Sequence, residues 1–261
     1  MSIPANKKSF TKSFTERRPV LAVVLIEVLL FIAVFMAGAY ATIKELSFSA
    51  PILISYIPIT AVLVLYFTLK RKWGFYGFRS LSSIPKGDWR YYLPLLVLLA
   101  IIALKGFRQI EASEVLFYLG FTLLVGFVEE SIYRGLIVNI LRPKSVRTAV
   151  ITSSVLFGVT HVLSVLSGQD AFQTVLQIVY ALLLGGALAL LMIRNRNILP
   201  LILFHFLHNF IQFVGNDNSD AYLGIDLAIL VLLAAYCFWL ALSLRKSPLP
   251  RAAGQGINSA Q

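Results

Sequence analysis

Residues 127–134 read FVEESIYR. The run before them (117–126, FYLGFTLLVG) and the run after them (135–141, GLIVNIL) are as apolar as a helix buried in a core or facing lipid. Each charge set in such surroundings costs roughly 3 kcal/mol, so two adjacent carboxylates and an arginine need partners or a purpose.

The composition says what the surroundings are. With 261 residues, 58% hydrophobic and only 13% charged, and a mean hydropathy of +0.81, the chain is too apolar for a soluble domain and too long for a single anchor. It reads as a polytopic membrane protein. Eight apolar segments can be counted, at 19–42, 48–69, 91–104, 113–141, 148–166, 172–193, 198–215 and 222–244. Most reach the ~20 residues that a spanning helix needs, and the third is the shortest. None alternates as a barrel strand would, which leaves helices as the spanning structure.

The net charge of +11 could indicate a nucleic-acid partner, but its distribution argues against one. With eight spans, 19 of the 23 basic residues fall on one side: in the first 18 residues, in 70–90, in 142–147, in 194–196 and after the last span. The opposite loops hold Lys44, Lys105 and Arg108, and Arg134 is left inside the fourth span. This is the positive-inside pattern, and it predicts that both termini are cytoplasmic. The first apolar run is too long for a signal sequence and is read as a retained helix. The one cysteine, Cys237, lies in the last span, so neither a disulfide framework nor a cysteine metal site is available. The ends, 1–18 and 247–261, read as polar tails, and 70–90 as an interfacial loop.

All three histidines are intramembrane: His161 in the fifth span, His205 and His208 in the seventh. With Glu129, Glu130, Arg134 and Asn209 they form the candidate site. At 1.5 Å of rise per residue, Glu129, His161 and His205 lie about 20, 21 and 14 Å from the nearest flanking arginines, which allows a shared level near mid-membrane. Glu130 and Arg134 are i and i+4 with the acid first, the favoured order for a helical ion pair. That leaves Glu129, about 100° away on the helix, free to act. Tyr133 is placed to orient Glu129 through its hydroxyl, and Phe157, one turn before His161, to wall the site. His205 and Asn209 are i and i+4 and can share a cavity; His208 can join them or face another helix.

A buried carboxylate and an imidazole can act as general bases, while an amide and an imidazole N–H can donate to the oxygen of a tetrahedral intermediate. The set therefore fits water attack on a peptide carbonyl. It fits equally a metal centre, with Glu129, His161 and His205 as ligands of a zinc ion that activates water. HExxH, the common zincin arrangement, is absent.

Three motifs in order, EESIYR (129–134), FGVTH (157–161) and HFLHN (205–209), each inside an apolar span, resemble those of the CAAX prenyl endopeptidase and bacteriocin-processing family of intramembrane proteases, also called CPBP or ABI. The resemblance implies an all-α fold of about eight transmembrane helices. It divides the chain into a cytoplasmic tail (1–18), a transmembrane protease domain (19–246, motif core 113–215) and a second tail (247–261). It further implies that Glu129 and His161 activate water, that His205 and Asn209 hold the oxyanion, and that Glu130 and Arg134 support them. Family members have been described both as glutamate-dependent and as zinc-dependent. The expected setting is a bacterial cytoplasmic membrane, with a membrane-associated peptide or protein as substrate, prenylated CAAX proteins among the options, and with no nucleic acid.

The remaining polar residues have plainer readings. Glu27 in the first span is a structural hydrogen-bonder or sits at the edge of the cavity; Asp226 is interfacial; Asp217 and Asp220 are solvated. Ala181, Gly185 and Ala189 form a small-residue stripe for helix packing. Pro51, Pro58 and Pro94 are candidates for kinks that open a lateral entrance. Two other functions remain open, a non-catalytic immunity or scaffold protein and a transporter. Transporters often show internal repeats, and none is visible in this chain.

Overall fold

The computed structural model describes residues 13–163, 169–216 and 219–246. Most of the two expected tails (1–12 and 247–261), the end of the fifth expected span (164–166) and Asp217 lie outside the described residues. Within the first tail, Phe14–Arg17 forms a one-turn helix, α1, closed by a capping box between Ser13 and Glu16.

The main helices follow: α2 (Pro19–Ile43), α3 (Ala50–Leu69), α4 (Leu93–Ala103), α5 (Ala112–Glu130), a π-helical segment (Ser131–Ile137), α6 (Val138–Leu141), α7 (Val146–Thr160), α8 (Ala171–Asn195), α9 (Leu199–Val214) and α10 (Ser219–Lys246). Among the described residues there is no strand, only an isolated bridge between Phe107 and Gly215 that ties two loops together. Six helices are long and apolar enough to cross a membrane: Pro19–Ile43, Ala50–Leu69, Ala112–Leu141, Val146–Leu163, Ala171–Asn195 and Tyr222–Arg245. The other two expected spans do form helices, but α4 has 11 residues and α9 has 16. At 1.5 Å per residue these are about 16 and 24 Å long, against a hydrocarbon thickness of ~30 Å. By length and composition, six of the eight expected spans qualify as crossings. Large apolar side chains stand exposed on α2, α3 and α10 (Leu29, Val62, Phe238), as lipid-facing surfaces require.

Two apolar cores hold the bundle. One joins α4, α8, α9 and α10 around Leu98, Leu188, Leu201 and Leu240; the other joins α2, α3, α5, the π segment and α7 around Phe67, Val128, Ile137 and Phe157. Close helix approach links them. A Cβ added at Gly126 of α5 would come within 3.2 Å of the Phe206 backbone nitrogen, so α9 lies directly on α5 there. At Gly185, the centre of the small-residue stripe, an added Cβ would meet Phe157 at 3.0 Å and Arg134 Nη2 at 3.3 Å. The stripe therefore makes room for two of the residues around the site.

Two of the three prolines considered for kinks are not kinks. Pro51 and Pro94 stand in the first turn of α3 and α4, where a missing N–H costs nothing; only Pro58 is inside a helix.

The π segment coincides with SIYR of the first motif, where regular α-helix was expected. A π turn moves carbonyls from their i+4 donors to i+5, as Val138 N–H does for the Tyr133 carbonyl, and here side chains add to those bonds. Ser153 Oγ of α7 donates to the Tyr133 carbonyl at 2.9 Å, and Asn139 Nδ2 donates to the Gly135 carbonyl at 2.7 Å. Ser153 is fully buried. Ser153→Ala is expected to cost about 1 kcal/mol, the loss of one hydrogen bond, because the Tyr133 carbonyl keeps the Val138 N–H. A lowered midpoint of thermal unfolding in detergent checks this, and an unchanged midpoint would show that the π segment does not need the bond.

Candidate active site

The first motif sends its two carboxylates to different places. Glu130 is fully buried, whereas the Glu129 side chain keeps 13% exposure and lines a cavity of about 1580 Å³. Phe157, His161, His205, His208 and Asn209 line the same cavity. Helices α5, α7 and α9 thus bring the sequence-selected residues to one chamber, with Glu130, Arg134 and Tyr133 behind its wall.

Glu130 is the link. Its Oε1 accepts from Arg134 Nη1 at 2.9 Å and from His205 Nδ1 at 2.8 Å. A carboxylate accepts and cannot donate, so His205 Nδ1 carries the hydrogen. The other ring nitrogen, Nε2, then lies 3.4 Å from Glu129 Oε2. Arg134 stacks its guanidinium over Phe157 at 4.4 Å from the ring centroid. Phe157 also meets the rings of His161 and His205 edge-on, at 5.2 and 5.8 Å. One aromatic ring therefore separates the two imidazoles and covers the buried cation. The orientation of His161 is fixed by its Nδ1, 2.9 Å from the Phe157 carbonyl. Since a carbonyl only accepts, Nδ1 holds the proton and Nε2 is a lone-pair acceptor.

The third motif forms a relay. His208 Nδ1 is 3.0 Å from Asn209 Oδ1, and His208 Nε2 is 2.5 Å from the Tyr180 hydroxyl of α8. With Asn209 Oδ1 accepting, Nδ1 is the donor and Nε2 accepts from Tyr180. The Asn209 amide NH₂ is left with no protein partner among the described residues. His208 thus lines the cavity and also faces α8, so its two expected options are combined.

Two tyrosines at the site went unnoticed in the sequence. Tyr56 of α3 donates its hydroxyl to Glu129 Oε1 at 2.8 Å, the part expected of Tyr133. Tyr133 instead packs edge-on against Phe157 at 5.2 Å, with its hydroxyl 3.4 Å from Thr160 Oγ1 and next to Glu27. Packing on α7 turns that ring away from Glu129. The only signal for Tyr56 or Tyr180 was a phenol inside an apolar span, where the hydroxyl must find a partner. Glu27 lies behind Tyr133 and is not part of the cavity lining. Asp226 pairs with Lys105.

The cavity leads away from the basic end. Beyond the site its walls are Glu45, Ser47, Lys105, Arg108 and Asn216, from loops at the end poor in basic residues. Leu30, Phe31, Val34 and Phe35 of α2 supply an apolar side wall.

Among the described residues no three of His, Cys, Asp and Glu are gathered so as to hold a metal ion. His205 and His161 each give Nδ1–H to an acceptor, Glu130 and the Phe157 carbonyl, which leaves both Nε2 atoms free, the support that zinc-bound imidazoles commonly have. The donor types of Glu129, His161 and His205 thus suit zinc, which would activate water if bound.

Residues 111–211 match the model of the Rce1-like family, described as type II CAAX prenyl endopeptidase Rce1-like. The matched segment runs from the start of α5 into α9, contains all three motifs, and agrees with the resemblance drawn from them. No curated protein matches the chain. The matched segment and the six long apolar helices together support an integral multi-pass membrane protein with a region similar to CAAX proteases.

Arg134→Ala is expected to lower abundance as well as any activity. Removing one partner of a buried pair strands the other charge, at about 3–5 kcal/mol. Membrane levels and unfolding midpoint report this; wild-type values for both would show that Glu130 does not depend on Arg134.

Proposed function

We propose that the protein is an intramembrane endopeptidase that cleaves a peptide bond with a water molecule activated by Glu129 and His161. The observation that supports this reading is the meeting of Glu129, His161, His205 and Asn209, from three helices, on one cavity. Glu129 is held by Tyr56 through Oε1, which leaves Oε2 to take a proton from water. His161, with its proton on Nδ1, offers Nε2 as a second acceptor for the same water. The water oxygen attacks the carbonyl carbon as its proton passes to Glu129. The carbonyl oxygen becomes an oxyanion and receives hydrogen bonds from the Asn209 amide and from His205 Nε2–H. In this role His205 is protonated on both nitrogens, an imidazolium set between Glu130 and Glu129. Collapse of the intermediate breaks the C–N bond, and Glu129 delivers its proton to the departing amine. No step is routed through a metal.

The substrate is a membrane-associated peptide or protein. The apolar wall on α2 suits a lipid-like group, which favours a prenylated substrate. The charge rule pulls the other way: it puts the basic end in the cytoplasm, and the cavity leads to the opposite end, whereas CAAX proteins are cytoplasmic. Cysteine accessibility at Ser47 and Lys144 in intact cells decides the orientation. Labelling of Ser47→Cys from outside favours a substrate met on the non-cytoplasmic face. Labelling of Lys144→Cys from outside instead favours CAAX proteins.

The direct test is protein reconstituted in liposomes with a labelled peptide, farnesylated or plain. Cleavage lost in Glu129→Ala and His205→Ala supports the peptidase. Solute flux that survives both changes would favour a transporter, and toxin protection by the same mutants an immunity scaffold. Asn209→Ala is expected to slow turnover about a hundredfold with little effect on unfolding, the scale of one oxyanion donor. Normal turnover in purified Asn209→Ala removes that role. Chelation is expected to leave cleavage unchanged; loss on chelation with recovery on added zinc would overturn the metal-free scheme.

A further inference from the structure

At the end of the bundle remote from the cavity opening, three arginines converge from separate segments. Arg79 lies in the loop after α3, Arg142 directly follows α6, and Arg196 directly follows α8. Hydrogen bonds stitch these segments together. Ile198 N donates to the Gly77 carbonyl at 2.9 Å, and the buried Asn197 Nδ2 donates to the carbonyls of Arg79 and Ser80 at 3.1 and 2.9 Å. Arg79 Nε is fixed on the Gly74 carbonyl at 2.9 Å, which leaves its two terminal nitrogens to point elsewhere. Arg196 Nη2 approaches Asn139 Oδ1 at 3.5 Å, and Asn139 is three residues before Arg142. Arg196 has φ 50° and ψ 34°, a left-handed conformation that L side chains rarely adopt.

The three charges are unbalanced. Three other basic side chains in the bundle have acids: Arg194 has Asp88 at 3.2 Å, Lys105 has Asp226, and Arg134 has Glu130. Among the described residues, Arg79, Arg142 and Arg196 have none. All three are half-buried. Burial, followed by repulsion from Arg142 and then Arg79, pushes Arg196 down to about 10. Burial and then Arg79 likewise lower Arg142. Three half-buried guanidinium groups gathered at one end of the bundle, with no acid paired to them among the described residues, offer an anion charge-assisted hydrogen bonds.

We propose that Arg79, Arg142 and Arg196 form a binding site for a phosphate group. Guanidinium forks from three directions match the several oxygens of a tetrahedral phosphate better than the two oxygens of a carboxylate. Arg142 and Arg196 each lie one residue beyond a membrane-crossing helix, the level at which lipid phosphates sit. The phosphate of an anionic lipid headgroup and free inorganic phosphate share this chemistry. Either would clamp the loop after α3 to the ends of α6 and α8. The site stands independently of the peptidase reading.

The test uses the full chain in nanodiscs of phosphatidylcholine, with or without phosphatidylglycerol, and in detergent with inorganic phosphate. Retained lipid is read by native mass spectrometry and stability by thermal unfolding. Phosphatidylglycerol is expected to stay bound and to raise the unfolding midpoint. Arg142→Gln and Arg196→Gln should each weaken retention at least tenfold, while Lys144→Gln, exposed at the same end, should not. In phosphate-free detergent, Arg142→Gln should unfold at or above the wild-type temperature, because a repulsive charge is gone. Equal protection by inorganic phosphate alone would identify the soluble anion as the occupant and uphold the site. The proposal falls if neither anion protects, if Lys144→Gln loses as much as Arg142→Gln, or if Arg142→Gln is equally destabilised with and without the anion.

Discussion

The arrangement depends on one carboxylate oxygen. Glu130 Oε1 accepts from both Arg134 and His205, and none of the three side chains has appreciable contact with the surroundings of the protein. A buried ion pair seldom stabilises a protein by itself, because desolvating two charges offsets most of their attraction. Its value here is positional. The shared oxygen ties the motif helix to α9 and fixes the hydrogen on His205 Nδ1. It thereby turns the remaining nitrogen toward Glu129. Phe157 completes the assembly by stacking on Arg134 while touching both imidazoles.

The π segment, Ser131–Ile137, sits where this assembly is built. Buried side chains of Ser153 and Asn139 add hydrogen bonds to its carbonyls, alongside the Val138 N–H on Tyr133. This turn couples the two ends of the molecule described above. Asn139 holds the Gly135 carbonyl on one side and approaches Arg196 on the other. An irregular helix at a functional position is a recurrent association, and here its supporting donors are identifiable.

The chamber is asymmetric, as suits a reaction inside a membrane. Polar groups are held from behind: Tyr56 on Glu129, the Phe157 carbonyl on His161, and Tyr180 through His208 on Asn209. Each of these contacts engages one atom and leaves its neighbour facing the cavity. The wall from α2 is apolar. The division follows from the two cores, since the cavity lies where neither is filled.

By itself the sequence determined the helical membrane class, because a run of apolar residues has one solution in lipid. It also marked out the residues that meet at the cavity, since charged and imidazole groups are conspicuous inside such runs and their i and i+4 spacings hold in a local helix. The pairing of Glu130 with Arg134 was legible for that reason. Contacts between helices were not. That Glu130 also holds His205, that Tyr56 rather than Tyr133 meets Glu129, and that Tyr180 reaches His208 depend on pairs separated by 75, 73 and 28 residues. No local periodicity encodes such pairs, and a tyrosine in an apolar span looks the same whether it faces lipid or a carboxylate. Hydropathy registered α4 and α9 as spans without fixing where they end; their lengths, and the direction in which the chamber leads, were decided by how the helices pack.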